Sequence, residues 1–274
     1  MKTNCELPLC LMDKNLELNE YDFVLYHLYS TNERYKNYYQ SVRFNNPDRV
    51  MILDNSAYEY FVKGESLDIE SFINCILELN PTYYILPDVL MDKEKTLNNT
   101  VKFMVNMLGK GCTQSQPLAV AQGVTAEELA DCLLQYEEWG IKNVAIPFHN
   151  SFLKSFSIYA TEDVKNDFLS EYGRLTEDIY YALGRIAFVN EYRDLLKRFD
   201  YVHMLGSHCP LEKVYYKDFD SMDTGYPVKC GYVGDELFKE ACKPNVIIDE
   251  FLNEELDIET KTRIEDNVNL FKNL

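Results

Sequence analysis

The sequence predicts an α/β protein, drawn best as a single-domain (β/α)8 TIM-like barrel spanning residues 1–274, with a helical insertion near 150–198. Three observations lead there. Short apolar runs of strand length alternate with longer stretches of helical periodicity, the order that builds a mostly parallel sheet. No low-complexity stretch, Gly/Ser linker or long repeat divides the chain. Polar residues recur just beyond the apolar runs, at Asp54, Asp88, Gln122-Gly123 and Asp223. The carboxyl ends of successive strands are where barrel enzymes carry their chemistry.

The elements follow in chain order. An apolar run at 22–28 precedes a helical stretch near 33–42. Val50-Met51-Ile52-Leu53 reads as a strand. A loop then leads to a helix at about 68–79, with Phe72, Ile73, Ile76, Leu77 and Leu79 apolar. A strand at 82–86 is followed by a helix near 92–108. A strand at 117–121 is followed by a helix at 126–138, opened by a capping box from Thr125 to Glu128. The strand at 143–146 ends at Pro147-Phe148-His149-Asn150. In the insertion, a helical stretch covers 152–170 and a stronger one 177–198. Ile179, Leu183, Ile186, Ala187, Val189 and Leu195-Leu196 share a broad face of the latter. A strand at 200–205, a short helix from Pro210 to Lys217, a strand at 219–222 and a helix at 257–272 complete the series. Seven strands are clear. The eighth falls either at 7–12 or at 245–248, and an incomplete barrel or open sheet is the fallback.

Composition limits the function. The chain is 46% hydrophobic, enough for one large core, and no apolar run reaches membrane-span length. The N-terminus does not read as a signal peptide, so a cytoplasmic protein is expected, in the host cytoplasm if the source is viral. Eight cysteines are scattered without C-x-x-C or C-x-C pairs, which predicts reduced, buried thiols and no zinc site. The net charge of −18 argues against broad nonspecific binding to nucleic acid. One stretch departs from that balance. Residues 34–49 carry Arg34, Lys36, Arg43 and Arg49, interleaved with Tyr35, Tyr38, Tyr39 and Phe44. It reads either as a backbone-and-base contact surface or as an ordinary amphipathic helix.

Each polar strand end has a functional and a structural reading. Asp54, in Asp54-Asn55-Ser56-Ala57, leads a small polar run that a ligand can approach, Ser56 included. It also suits a turn or helix cap. Asp88, after Pro87, can accept hydrogen bonds from the guanidine-like edge of guanine, or serve as a loop acid. Gln122 offers a donor and an acceptor to a base edge, and Gly123 permits close backbone approach. In Leu205-Gly206-Ser207-His208-Cys209-Pro210, the N–H groups around Gly206 and Ser207 are candidates for holding a phosphate or ribose. His203 and His27 lie in strand patterns and read as structural. Asp223 is favoured over Asp220 as the site carboxylate. A strand that begins near Phe219 would contain Asp220 and leave Asp223 at its end, ahead of the turn Thr224-Gly225-Tyr226-Pro227.

Taken together, these segments resemble the tRNA-guanine transglycosylase superfamily. Asp54-Asn55-Ser56-Ala57-Tyr58-Glu59 is similar to its D-S-G-G-F-Q segment. Pro87-Asp88 with Glu94-Lys95-Thr96-Leu97 resembles its P-D and K-T-L elements, and Val120-Ala121-Gln122-Gly123 its V-Q-G. Met204-Leu205-Gly206 followed by Pro210 resembles L-M-G-V-G-x-P, and Asp223-Thr224-Gly225 occupies the place of the nucleophile strand. The match covers about residues 50–231, and its flavour is that of the compact phage-type branch that inserts 7-deazaguanine bases into DNA. The resemblance implies a barrel that exchanges guanine in a polynucleotide, DNA before tRNA, for a base such as preQ0. Asp223 would attack ribose C1′, and Asp54 would act as general acid/base. Asp88 and Gln122 would read the base, which must leave its stack to reach the pocket. No cofactor is expected. The zinc motif of the bacterial tRNA enzymes is absent from this sequence. Ile146-Pro147-Phe148-His149 stands where a glycine-rich base-contacting loop is expected, so His149 is a candidate base contact. A partner protein that supplies basic surface and a homodimer are both compatible with the sequence. The competing readings are an enzyme acting on free nucleosides or nucleotides and a non-catalytic base-binding barrel.

Overall fold

The computed structural model describes residues 1–110, 114–148, 151–238 and 246–274. Eight parallel strands alternate with helices in a (β/α)8 TIM-like barrel fold. They are β1 (Lys2–Cys5), β2 (Asp22–Leu25), β3 (Met51–Asp54), β4 (Tyr83–Ile85), β5 (Gln116–Val120), β6 (Asn143–Pro147), β7 (Tyr201–Leu205) and β8 (Ser221–Thr224). Their order in the sheet is β1-β8-β7-β6-β5-β4-β3-β2. The strands are short and buried nearly throughout, as parallel strands covered on both faces are.

The eighth strand lies at neither expected place. It is β1, which pairs in parallel with β8 from Lys2↔Ser221 to Cys5↔Thr224. Leu9–Lys14 forms a 3₁₀ helix and Ile248–Phe251 one helical turn, while residue 245 lies outside the described residues. Periodicity missed β1 because its sequence is polar. Thr3 and Asn4 are buried, and the neighbouring segment takes up the Thr3 side chain and the Thr3 and Cys5 N–H groups. Thr3 donates to Glu20 Oε2 from its N–H (2.8 Å) and its hydroxyl (3.1 Å), and Cys5 N–H donates to Asn19 Oδ1 at 2.7 Å. A polar strand folds where its hydrogen bonds are supplied.

Two compact units make up the chain. The first comprises Met1–Glu20, Pro147–Arg193 and His203–Leu274, the second Tyr21–Ile146 and Asp194–Val202. In the second unit, Phe72 of helix Ile69–Leu79 meets Tyr26 edge-on at 5.0 Å and Phe103 of helix Lys93–Leu108 at 5.8 Å. Side-chain caps start these helices. Asp68 accepts from Glu70 and Ser71 N–H, Asp92 from Lys95 N–H, and Thr125 from Glu128 N–H. The last of these is one half of the expected capping box; Glu128 Oε2 instead accepts the N–H of Val124, one residue before the cap, at 2.7 Å.

The insertion is helical, as expected: in the first unit it forms Ser151–Phe156, Glu162–Tyr172 and Glu177–Glu191, and a short helix Arg193–Leu196 follows. The long helix expected at 177–198 breaks at Tyr192. The helix Ile258–Lys272 closes this unit. Asn267 on it accepts from Leu237 N–H and donates to the Pro227 and Asp235 carbonyls. Lys213 Nζ caps its carboxyl end through the carbonyls of Phe271 (3.0 Å) and Lys272 (2.6 Å).

Candidate active site

In the second unit, β3 ends on Asp54, and two side chains fold the chain back at once. Asp54 Oδ2 accepts Ser56 N–H and Asn55 Oδ1 accepts Ala57 N–H, each at 2.7 Å. These Asx-type turns carry the strand into helix Ala57–Lys63, where a plain loop was expected. Ser56 is held in the left-handed region at φ 58°, uncommon for any residue but glycine. It is fully buried. Its Oγ accepts His27 N–H at 3.1 Å and lies 2.9 Å from His27 Nδ1. The Ser56 hydroxyl therefore serves His27. His27 itself stands in helix Tyr26–Thr31 and not in a strand, because β2 stops at Leu25.

Asn55 reaches across to the next strand end. Its amide nitrogen donates to the Leu86 carbonyl at 2.7 Å and to Asp88 Oδ1 at 2.9 Å. Gln122 Nε2 donates to Asp88 Oδ2 at 2.7 Å, and Gln122 Oε1 accepts Met91 N–H at 3.0 Å. Each Asp88 oxygen thus takes one amide proton and keeps lone-pair capacity for a further donor. Burial pushes the Asp88 pKa up, while the Asn55 and Gln122 hydrogen bonds pull it down. Sequence reasoning placed Gln122 beside Asp88 as a second reader of a base; here its amide first orients Asp88. Gly123 answers to packing. A Cβ there would stand 2.6 Å from Cβ of Glu128 in the helix that follows.

In the first unit, Asp223 is the third residue of β8 and not the residue beyond it, because β8 runs two positions later than expected. Pairing with β1 sets that register. Asp220 is exposed and precedes the strand, its carbonyl accepting Lys2 N–H at 2.8 Å. Asp223 is buried. Its Oδ1 accepts Gly206 N–H at 2.9 Å and lies 3.0 Å from His203 Nε2. No described residue hydrogen-bonds its Oδ2. His203 Nδ1 lies 2.8 Å from Ser221 Oγ, so the imidazole bridges two residues that strand alternation puts on one face of β8.

Gly206 closes β7 at φ +59°, a conformation glycine adopts without strain. That geometry sends its N–H to Asp223 and its carbonyl to Arg185 Nη2 at 2.8 Å; Arg185 Nη1 donates to the Leu205 carbonyl at 2.7 Å. Arg185 is wholly buried, pairs through Nε and Nη2 with the equally buried Glu212, and lies 4.9 Å from the Phe148 ring. Ser207 Oγ accepts Cys209 N–H at 3.0 Å and Leu211 N–H reaches Tyr172 Oη at 3.4 Å. The phosphate cradle expected here is therefore not built: the protein itself uses the Gly206, Cys209 and Leu211 N–H groups. His149 lies outside the described residues.

Sequence reasoning missed His203 and Arg185. The signal for His203 was its place in a strand beside one that carries serine and aspartate two residues apart. The signal for Arg185 was a lone cation inside Leu183-Gly184-Arg185-Ile186-Ala187, where an apolar face leaves it no route to water.

The basic stretch at 34–49 forms helix Glu33–Asn45 and follows the amphipathic reading at the positions that can be assigned. Tyr35 and Tyr39 are buried, Lys36 pairs with Glu78, Arg49 pairs with Asp22, and Arg43 donates to the Pro47 carbonyl. Of the described cysteines all are free thiols, buried except Cys10, which is half-buried; burial pushes the Cys209 thiol well up. Cys112 and Cys242 lie outside the described residues. Among the described residues, no group of three or more His, Cys, Asp or Glu could hold a metal ion, and no helix is long and apolar enough to cross a membrane. The chain matches no protein-family model, and no characterised protein matches it in sequence.

Proposed function

We propose that this protein is a base-exchange transglycosylase that replaces guanine in a polynucleotide, DNA before tRNA, with a 7-deazaguanine base such as preQ0. The observation that carries the reading is the state of Asp223. One carboxylate oxygen is anchored by a backbone N–H and an imidazole, while the other accepts no hydrogen bond from the described residues. A nucleophilic carboxylate needs that division: a fixed orientation and one oxygen with an open lone pair.

In this reading Asp223 Oδ2 attacks C1′ of the target nucleotide. The glycosidic bond breaks with its electron pair going to the base, leaving an ester between Asp223 and the sugar. Asp54 gives a proton to the departing guanine and takes one from the incoming base, which then displaces Asp223 and completes a double displacement. Asp88 accepts from the N1–H and exocyclic amine of the base. Its two oxygens are already splayed between Asn55 and Gln122, so recognition needs no reorganisation.

A second reading is favoured by one observation. A net charge of −18 suits a free nucleoside or nucleotide better than a polyanion.

The experiment uses radiolabelled guanine, in separate incubations with guanine-containing DNA, tRNA and free guanosine. Label entering DNA or tRNA, lost in Asp223→Ala, supports polymer exchange. Label entering only guanosine supports the second reading. No label in any arm, with no mass shift on Asp223 under denaturing mass spectrometry, overturns both.

A further inference from the structure

We infer that His203 is a positioning residue: a buried imidazole, locked in one tautomer by Ser221, that aims Asp223. The inference rests on the reading of Asp223 as nucleophile and extends it to a residue that neither the motifs nor the resemblance picked out.

The argument is one of proton inventory. The imidazole is fully buried and lies between two partners, Asp223 Oδ1 at 3.0 Å on Nε2 and Ser221 Oγ at 2.8 Å on Nδ1. An ionised carboxylate only accepts, so Nε2 carries the proton. A serine hydroxyl can donate, so in this arrangement Nδ1 takes the Ser221 proton. The tautomer is thus set by the group on the far side of the ring, as in other oriented histidines. The register makes the arrangement inevitable once the strands pair. His203 stands opposite Ser221, and Asp223 lies two residues further along the same face.

Two donors then converge on Oδ1, the imidazole and the Gly206 N–H. Both fix its plane, leaving Oδ2 as the reacting oxygen. Ser221 is also wholly buried, which marks it as part of the support and not as a nucleophile.

The test has two arms. With ¹⁵N-histidine in the intact chain, the His203 resonances are identified by their loss in His203→Gln. The expected spectrum at neutral pH shows Nε2 protonated and Nδ1 bare. A protonated Nδ1, in the opposite tautomer or in an imidazolium, overturns the inference. Ser221→Ala is expected to blur this preference while the chain stays folded.

In the guanine-exchange assay, His203→Leu is expected to lower kcat on the order of 100-fold with KM within about twofold. His203→Gln, whose amide can still donate to Asp223, should recover at least about a tenth of the wild-type rate. Equal loss in both variants, or a change confined to KM, also overturns it. Should the wild-type chain exchange no base, the functional reading fails, and the spectrum alone still decides the geometry.

Discussion

Arg185 and Glu212 illustrate what a buried charge costs and what it organises. Both side chains are fully out of solvent, and the guanidinium spends its remaining N–H groups on the Leu205 and Gly206 carbonyls. The pair therefore holds the turn whose N–H orients Asp223. Removing one partner strands the other charge. Arg185→Met is expected to destabilise the fold by about 3–5 kcal/mol in urea unfolding, with Arg185→Met/Glu212→Leu recovering much of that loss. A double variant no more stable than the single one would sink this account.

Asp88 gives a second test at this scale. Its pKa is raised in the fold, so between the unfolded and the raised value the native state holds a proton that the unfolded chain has released. The stability it contributes is fully present below the unfolded pKa of about 3.9 and is lost as pH rises through the raised value. Relative to the wild type, Asp88→Asn should therefore gain in urea midpoint as pH climbs from about 4, then level off. A difference independent of pH would show that burial does not govern this carboxyl.

At the scale of elements, tight junctions between strand and helix decide what each polar residue can do. Gly123 joins β5 to helix Ala126–Glu138 where a methyl group would collide with Glu128. Gly123→Ala is expected to cost about 1–3 kcal/mol of thermal stability through overpacking. A variant of unchanged stability but lost activity would instead return Gly123 to the ligand. The turn after β3 follows the same logic. Asp54 and Asn55 open consecutive Asx turns, and the left-handed Ser56 that follows is held by its N–H on Asp54 Oδ2 and by His27 N–H on its hydroxyl. The turn-former reading of Asp54-Asn55-Ser56 is thus what the local hydrogen bonds express.

For the molecule as a whole, charge is the governing term. Forty-five acidic residues against 27 basic ones leave −18, and Lys36 and Arg43 of helix Glu33–Asn45 and Arg49 beyond it are engaged by acids or carbonyls. Such a surplus repels itself in the folded state. Raising ionic strength from about 0.01 M to about 0.15 M shortens the screening length from roughly 30 Å to 8 Å. The melting temperature should rise by about 2–4 °C, the shift that about 1 kcal/mol produces in a domain of this size. A melting temperature that falls with salt would mean that attractive ion pairs outweigh the repulsion.

The alternation of apolar runs and helical periods was enough to call for eight parallel strands, because the core of such a fold is made of side chains whose spacing is written locally. Seven strands, the cap at Thr125 and the helical insertion were legible for that reason. Asp54, Asp88, Gln122 and Asp223 stood out because barrel strands end abruptly on polar residues. What local pattern could not hold is pairing. β1 is a strand because it pairs with β8 and the Asn19-Glu20 segment takes up its Thr3 and Cys5 N–H groups, and that pairing moved β8 by two residues and set Asp223 inside it. The partnerships of His203 with Asp223, of Gln122 with Asp88 and of Arg185 with Glu212 join residues 20 to 34 positions apart. A hydrogen bond of that kind depends on distance in space, which sequence spacing does not encode, so only the tertiary structure could decide which polar residues serve each other and which oxygen of Asp223 meets Gly206 and His203.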